Sequence, residues 1–411
     1  MTQQERHGWV LVGGLFVALL LIFGSGYNTA PIFVPALIKF FGWKRAEVSL
    51  LPSAVAASAG VSVIVVGWLL DRVEARVVMV AGALMSGTAF LIASRVNSIG
   101  PMIGAYLLLG VGITAGTVLP ASFVIANWFG TRRGLAMGFA IAGTSAGGFV
   151  MTLVVSSVIR GFGLRAAYVA LAAPMFLIVI PLVLALVRSR PPGAVKMTVA
   201  ERSQTLEGFE TRAALRTRSF WMILLAHFCF AFAAAGTLIH MAAYLTDIGY
   251  KSTNVAFAIS LVFASTVFGK VFMGYVADRV TARIALTVNF VAQTLGLLLV
   301  FGARSVAVTI AFVPLYGFTL GPPLMLLPLL IAESMGLRRY GSLSGILGVP
   351  GTIGAVLGPP VAGYIFDVTH SYTSAFALFI VIDVIGALTT FASMSYTAQR
   401  ARIVMPEAAS A

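Results

Sequence analysis

Twelve stretches of this sequence are each long enough and apolar enough to cross a lipid bilayer, and no other feature narrows the possible folds as far. A spanning helix needs about 20 mostly apolar residues, because hydrocarbon offers no water to the backbone N–H and C=O groups. Such runs, separated by charge or turn clusters, lie at about 9–38, 46–70, 77–95, 99–128, 134–159, 166–188, 219–246, 253–277, 284–303, 306–333, 342–366 and 373–397. Only 10% of the residues are charged and the mean hydropathy is +1.00. A soluble chain carries roughly 25% charged residues, so no water-soluble core could hide this much apolar surface. The first run is too long for a signal peptide and no small-residue cleavage site follows it, so it is read as retained. The expected fold is an all-α integral membrane protein.

The formal net charge of +14 invites a nucleic-acid reading, but the positions of the charges argue against it. With the N-terminus inside, eighteen Arg and Lys fall on the cytoplasmic side, seven of them between Arg188 and Arg218. Eight fall outside: Lys39, Lys44, Arg45, Arg95, Arg160, Arg165, Lys251 and Arg304. This bias fits a multi-pass protein of the cytoplasmic membrane with both termini cytoplasmic, the basic loops facing anionic lipid. One cation, Lys270, is left inside a span.

The chain also repeats itself. Gly67-Trp-Leu-Leu-Asp71-Arg72-Val-Glu-Ala-Arg76 recurs as Gly274-Tyr-Val-Ala-Asp278-Arg279-Val-Thr-Ala-Arg283, an offset of 207. Gly130-Thr-Arg132-Arg133 recurs as Gly336-Leu-Arg338-Arg339, an offset of 206. Two loops repeating at nearly one offset imply two six-helix bundles of the same orientation, related by a pseudo-two-fold axis. The expected parts are a bundle over 1–189, a cytoplasmic linker over 190–218, a second bundle over 219–397 and a cytoplasmic tail over 398–411.

At these residues the chain resembles a known family. The Gly-x-x-x-Asp-Arg-x-x-x-Arg loops are similar to the signature of the major facilitator superfamily. Trp128-Phe129-Gly-Thr-Arg132-Arg133-Gly134-Leu-Ala-Met-Gly138 resembles its monocarboxylate-transporter and oxalate-formate antiporter branch. So do Gly42-Trp43-Lys-Arg45-Ala-Glu47, Arg216-Thr-Arg-Ser-Phe220-Trp221 and Gly358-Pro359-Pro360-Val-Ala-Gly363. The resemblance implies alternating access, with substrate held between the bundles near the midplane.

A carboxylate at the end of a span can accept donors from a helix N-terminus and pair with a nearby arginine. Asp71 with Arg72 and Arg76, and Asp278 with Arg279 and Arg283, are therefore expected to form a gating latch; anchoring charge is the plainer alternative. Lys270 lies eight residues before Asp278, about 12 Å along a helix and close to the bilayer midplane. A cation there suits a carboxylate substrate, the alternative being a structural pairing with Asp383 or an interhelical carbonyl. The resemblance places a substrate-binding arginine of the family at this position. It also places the oxalate carrier's second cation at Leu347, its helix 10 aromatic pair at Leu320 and Leu324, and its helix 4 aromatic at Val118. One cation among leucines points to a monoanion with an apolar body, since a second carboxylate would be buried unpaired.

Tyr27 and Asn28, beside Gly24 and Gly26 in span 1, are candidates to offer hydrogen bonds to the substrate, the alternative being a helix–helix hydrogen bond; Tyr27 aligns with a tyrosine of the oxalate carrier. His240 is a candidate both for substrate contact and for carrying a proton, the alternative being a buried histidine satisfied by a neighbour, and mid-span Asp383 is a second proton-coupling candidate, the alternative being a structural hydrogen-bond role. Thr266 stands where the resembling animal carriers have a proton-coupling Asp. Glu333 is expected to pair with Arg132 or Arg338, and Asn289 and Gln293 to act as packing polar residues. Gly321-Pro322-Pro323 and Gly358-Pro359-Pro360 are expected to break helices 10 and 11 locally, the alternative at each being a packing helix that is merely kinked.

Nothing in the sequence marks an enzyme: there is no His-Glu-x-x-His, no phosphate-binding glycine loop and no paired aspartates at membrane depth. No cofactor, catalytic residue or metal site is expected, and Cys229 is the lone cysteine. The expected function is secondary transport of monocarboxylates, with proton-driven efflux of amphipathic compounds or organic-anion exchange as the alternatives. The expected partners are a small organic anion, protons and the bilayer. One chain contains both halves and is expected to work as a monomer.

Overall fold

The computed structural model describes residues 3–43, 45–130, 132–189 and 206–399. The first part of the expected linker, 190–205, and the tail from 400 onward lie outside the described residues. Among the described residues eleven helices are long and apolar enough to span a bilayer, and a pair bent by 40° supplies a twelfth span. The chain divides into two compact units, residues 1–130 with 139–196, and residues 131–138 with 197–411.

The first unit holds α1a (Gln3–Gly26), α1b (Ala30–Phe41), α2 (Arg45–Leu70), α3 (Ala75–Arg95), α4a (Ile99–Gly116) and α4b (Val118–Trp128). It continues with most of α5 (Arg133–Phe162) and with α6a (Leu164–Pro174) and α6b (Ile180–Leu186), which a π-helical turn over Met175–Val179 joins. Pro181 has no N–H to give Leu177, which accounts for the wider turn there. The helix α1b stops at Gly42, whose φ of 71° lets its N–H reach the Ile38 carbonyl.

The second unit holds α7 (Arg218–Asp247), α8 (Ser252–Arg279), α9 (Ala282–Leu299), α10a (Val306–Leu320), α10b (Pro323–Met335), α11 (Tyr340–Thr369) and α12 (Thr373–Ala392). Thr217 and Thr281 cap α7 and α9 by accepting the N–H groups of Phe220 and Ile284. The core gathers Phe232, Met241, Phe312, Tyr316, Phe376 and Phe379 from α7, α10a and α12. Ahead of α7, the segment from 206 docks on the loop between α10b and α11. Phe209 N–H donates to the Met335 carbonyl and Leu337 N–H to that of Glu207. Glu210 lies 2.7 Å from Arg339 Nε and 3.1 Å from Arg338 Nε. Only the Arg339 contact has hydrogen-bond geometry; Arg338 Nε is off the angle for one.

The sequence repeat is also a packing repeat. In the first unit Gly147 on α5 sits against the Leu20 carbonyl of α1a, and Gly110 on α4a against the Val55 carbonyl of α2. At the offset of 207 from these glycines, Gly317 on α10a sits against the Val262 carbonyl of α8, and Gly354 on α11 against the Phe228 carbonyl of α7, one residue past the repeat position of Leu20. Helix backbones touch at these four places because no β-carbon intervenes.

The breaks fall partly as expected. The two halves of α10 part at Gly321–Pro322, as the double proline predicts. By contrast α11 runs unbroken through Pro350, Pro359 and Pro360, which corrects the expected break there. Proline keeps a helical φ, and the backbone contacts of Gly354 and Gly358 with α7 hold the helix straight enough to continue. An unexpected break occurs in α4 at Thr117, where φ is −124° and ψ −119°. Pro120 has no N–H for the Gly116 carbonyl, so the fourth helix of each repeat is interrupted within a few residues of the same place.

Candidate functional site

Lys270 is 4% exposed on α8, one turn beyond Thr266. The seam between α8 and α10a shapes its surroundings. Gly269 faces the Phe318 carbonyl so closely that no side chain fits between them. Gly321 faces Thr266 and Lys270: a β-carbon there would lie 2.6 Å from the Thr266 carbonyl oxygen, 2.9 Å from Lys270 Cγ and 3.1 Å from Lys270 Cε. The lysine stem therefore lies across Gly321, which brings its head to the interruption of α10.

That interruption is polar by construction. Pro322 and Pro323 have no N–H, so the carbonyls of Phe318 and Thr319 lose their helical donors. Asn289 on α9 replaces one of them, its Nδ2 donating to the Thr319 carbonyl at 3.0 Å. Half-buried Leu320 and Leu324 flank the break against which the Lys270 stem lies. At the repeat position in α2 stands Val63, so the duplicated scaffold changes from apolar to cationic at this point. The structure thus brings together Lys270, Thr266, Leu320 and Leu324.

Other expected site residues stand elsewhere. Leu347 is 2% exposed in the α7–α11 seam, where its carbonyl meets His227 Nδ1 at 2.7 Å. His240 has both ring nitrogens engaged: Nε2 lies 2.9 Å from the Pro359 carbonyl and Nδ1 3.1 Å from the Tyr372 hydroxyl. A carbonyl only accepts, so Nε2 carries the hydrogen and in the neutral ring Nδ1 accepts the Tyr372 O–H. The histidine ties α7 to α11 at its double proline. Asp383 takes Gln293 as its partner, at 3.5 Å, so the pairing with Lys270 that the sequence left open is not formed. In the first unit, Tyr27 is 44% exposed and stacked on Phe23, and Asn28 Nδ2 donates to the Thr144 carbonyl at 2.9 Å.

The second signature loop is wired to a helix N-terminus. Asp278 accepts the N–H groups of Gly134 at 2.6 Å and Leu135 at 2.8 Å, capping the N-terminus of α5, with the charges of Arg133 and Arg132 facing it. The motif arginines turn to their own unit, in duplicate. Arg72 lies 3.9 Å from the centre of the Trp68 ring and Arg279 4.9 Å from that of Tyr275. Arg76 reaches the Leu184 carbonyl at the end of α6b, and Arg283 the Ser393 carbonyl at the end of α12. Asp71 is buried, at 4% exposure. Glu333 departs from the expected pairing with Arg132 or Arg338: both its oxygens accept the first N–H of α9, from Ala282, at 2.9 and 3.0 Å. Ala75, the repeat position of Ala282, donates instead to Ser189 Oγ at 2.8 Å.

The Asp278 contacts give a direct test. Asn in its place keeps one acceptor oxygen but loses the charge, at a cost of about 1–2 kcal/mol of helix-terminal stabilisation. Asp278→Asn is expected to lower the melting temperature of the detergent-purified protein, which a thermal unfolding scan would read. An unchanged melting temperature would show that this cap adds nothing to stability.

Comparison with known proteins agrees with this geometry. The family model of the Major Facilitator Superfamily matches residues 15–349 and, overlapping, 252–407. The chain belongs to the Major Facilitator Superfamily. It is 26% identical over 390 residues to monocarboxylate transporter 13 of Rattus norvegicus, covering 90% of this chain and 85% of the relative. An MFS-type transporter of Gibberella moniliformis is 26% identical over 304 residues, covering 72% of this chain and 70% of that one. Among solved structures, the human organic anion transporter MFSD10 superposes with a TM-score of 0.70 at 16% identity, covering 95% of this chain and 100% of that one. The E. coli fucose:proton symporter FucP gives 0.70 at 15% identity, covering 92% and 97%. This superfamily member is a multi-pass membrane protein and a secondary transporter, not an enzyme.

Proposed function

We propose that this transporter carries monocarboxylate anions with an apolar body across the cytoplasmic membrane by alternating access, with Lys270 receiving the carboxylate. The observation that carries the reading is the buried Lys270 against Gly321 at the interruption of α10, a break flanked by Leu320 and Leu324, with Val63 at the repeat position of the lysine. The carbonyls and apolar side chains there offer nothing cationic to a second carboxylate, which disfavours dicarboxylates. The names of the monocarboxylate transporter relatives and of the organic anion transporter support the same substrate class. Tyr27 and Asn28, at the interruption of α1, are proposed as further contacts for the substrate. The surplus of cytoplasmic Arg and Lys supports placing both termini inside.

Uptake into proteoliposomes tests this, using labelled lactate, pyruvate, an aromatic monocarboxylate, oxalate and a neutral amphiphile, with internal pH recorded. Monocarboxylates are expected to enter at least about tenfold faster than oxalate, the preference that a penalty of 1.4 kcal/mol for a second charge would produce. Internal acidification would identify proton symport. Acceleration by preloaded anion without acidification would identify exchange. Uptake of the neutral amphiphile alone would overturn the carboxylate reading.

A further inference from the structure

Along the contact of α9 with α12 runs a strip of polar side chains that the proposed anion site does not use. On α9 it comprises Gln293 and on α12 Asp383 and Thr390, all 0% exposed. Gln293 Nε2 lies 3.5 Å from Asp383 Oδ1. The second oxygen of each group, Asp383 Oδ2 and Gln293 Oε1, is buried without a donor. Apolar groups close the surroundings: Phe290 and Phe379 are 0% exposed, and the Phe290 ring and Cys229 Cβ pack over Gly386, one turn along α12.

An ionised carboxylate and an amide oxygen are both acceptors, so neither can satisfy the other. A single proton on Asp383 resolves both. Its O–H then donates from Oδ2 to Gln293 Oε1 while Gln293 Nε2 donates to Oδ1, closing a ring of two hydrogen bonds. The groups facing Asp383 from the neighbouring helices do not favour the charged form. Cys229 faces it from α7 and Tyr316 from α10a, and neither is a cation. On α7, His227 and His240 are held by Leu347, Pro359 and Tyr372. Toward α11 the nearest acids, Asp247 and Asp367, face Tyr372, eleven residues and about 16 Å along the chain from Asp383. Among the described residues no Arg or Lys bonds to Asp383.

We infer that Asp383 and Gln293 form a carboxylic acid–carboxamide pair in which Asp383 keeps its proton throughout the transport cycle. The acid is then a part of the α9–α12 packing and not a group through which protons travel. Any proton coupling has to run through another residue.

Infrared spectroscopy of the purified protein tests the protonation, and paired variants test the role. At neutral and mildly alkaline pH a carboxylic-acid C=O band is expected that disappears in Asp383→Asn. Asparagine rebuilds the ring as an amide–amide pair, so Asp383→Asn is expected to keep the melting temperature and the pH profile of uptake. Gln293→Leu removes the partner and is expected to lower the melting temperature and move the acid band to higher frequency. A wild-type spectrum in which Asp383 contributes only a carboxylate band would overturn the pair. A shifted pH profile, or lost proton accumulation, in Asp383→Asn would overturn the fixed proton. Should Asp383→Asn fail to fold, the band in Gln293→Leu still decides: present and shifted it supports the pair, absent it refutes it.

Discussion

Lys270→Gln is expected to reduce saturable monocarboxylate uptake by at least about a hundredfold while the protein stays folded. Truncating one partner of a desolvated ion pair costs about 2–5 kcal/mol in binding, and each 1.4 kcal/mol is tenfold. The substrate carboxylate would lose its counter-charge in a place 4% exposed, where water cannot substitute. Stability should hardly move. Glutamine keeps a polar head and a stem that lies across Gly321, so the melting temperature should stay close to that of the parent. Loss of uptake together with an intact melting temperature therefore separates a failed site from a failed fold. Lys270→Arg keeps the charge but brings a broad planar fork against Gly321, and is expected to retain part of the activity. Uptake by Lys270→Gln equal to the parent would remove Lys270 from the substrate site.

The span count was legible because hydrocarbon leaves a chain so little choice: runs read from apolar composition match the helices to within a few residues, except at the breaks. The duplicated loops foretold a packing repeat, although the contacts Gly110–Val55 and Gly317–Val262 lie where no motif repeats. Proline was a weaker guide. Pro322 and Pro323 mark a real interruption, but Pro359 and Pro360 do not, because the packing of α11 on α7 overrides the two lost hydrogen bonds. Pro120, a single proline in an apolar run with no glycine or second proline beside it, carries no comparable signal and yet lies three residues beyond a break. The arginines Arg72, Arg76 and Arg279 show the limit of reading charge alone, which proposes acidic partners; Arg283 does have an acid facing it, Glu333. The aromatic residues one turn before Arg72 and Arg279 were visible at i−4 spacing and would have predicted the stacking. The helix-end carbonyls that Arg76 and Arg283 reach are backbone groups, which no side-chain pattern reveals.

Gly269→Ala sets two opposite expectations against each other, and the structure decides between them. Helix propensity alone favours alanine over glycine by about 1 kcal/mol in a helix interior. At Gly269, however, the new methyl would collide with the Phe318 carbonyl oxygen, a backbone atom that cannot turn aside as a side chain would. Overpacking of this kind costs about 1–3 kcal/mol or more, because the helices themselves have to part. The net expectation is destabilisation of α8 against α10a. Since Lys270 is the next residue and its stem rests on Gly321 across the same seam, weakened substrate uptake is expected as well. Gly13→Ala supplies the control: nothing lies within 4 Å of its added β-carbon, so propensity acts unopposed there and the variant should be slightly more stable than the parent. A thermal unfolding scan of both variants in one detergent, with uptake measured alongside, reads the comparison. If Gly269→Ala melts no lower than Gly13→Ala, then α8 and α10a are not in backbone contact, and the placement of Lys270 at the interruption of α10 falls with it.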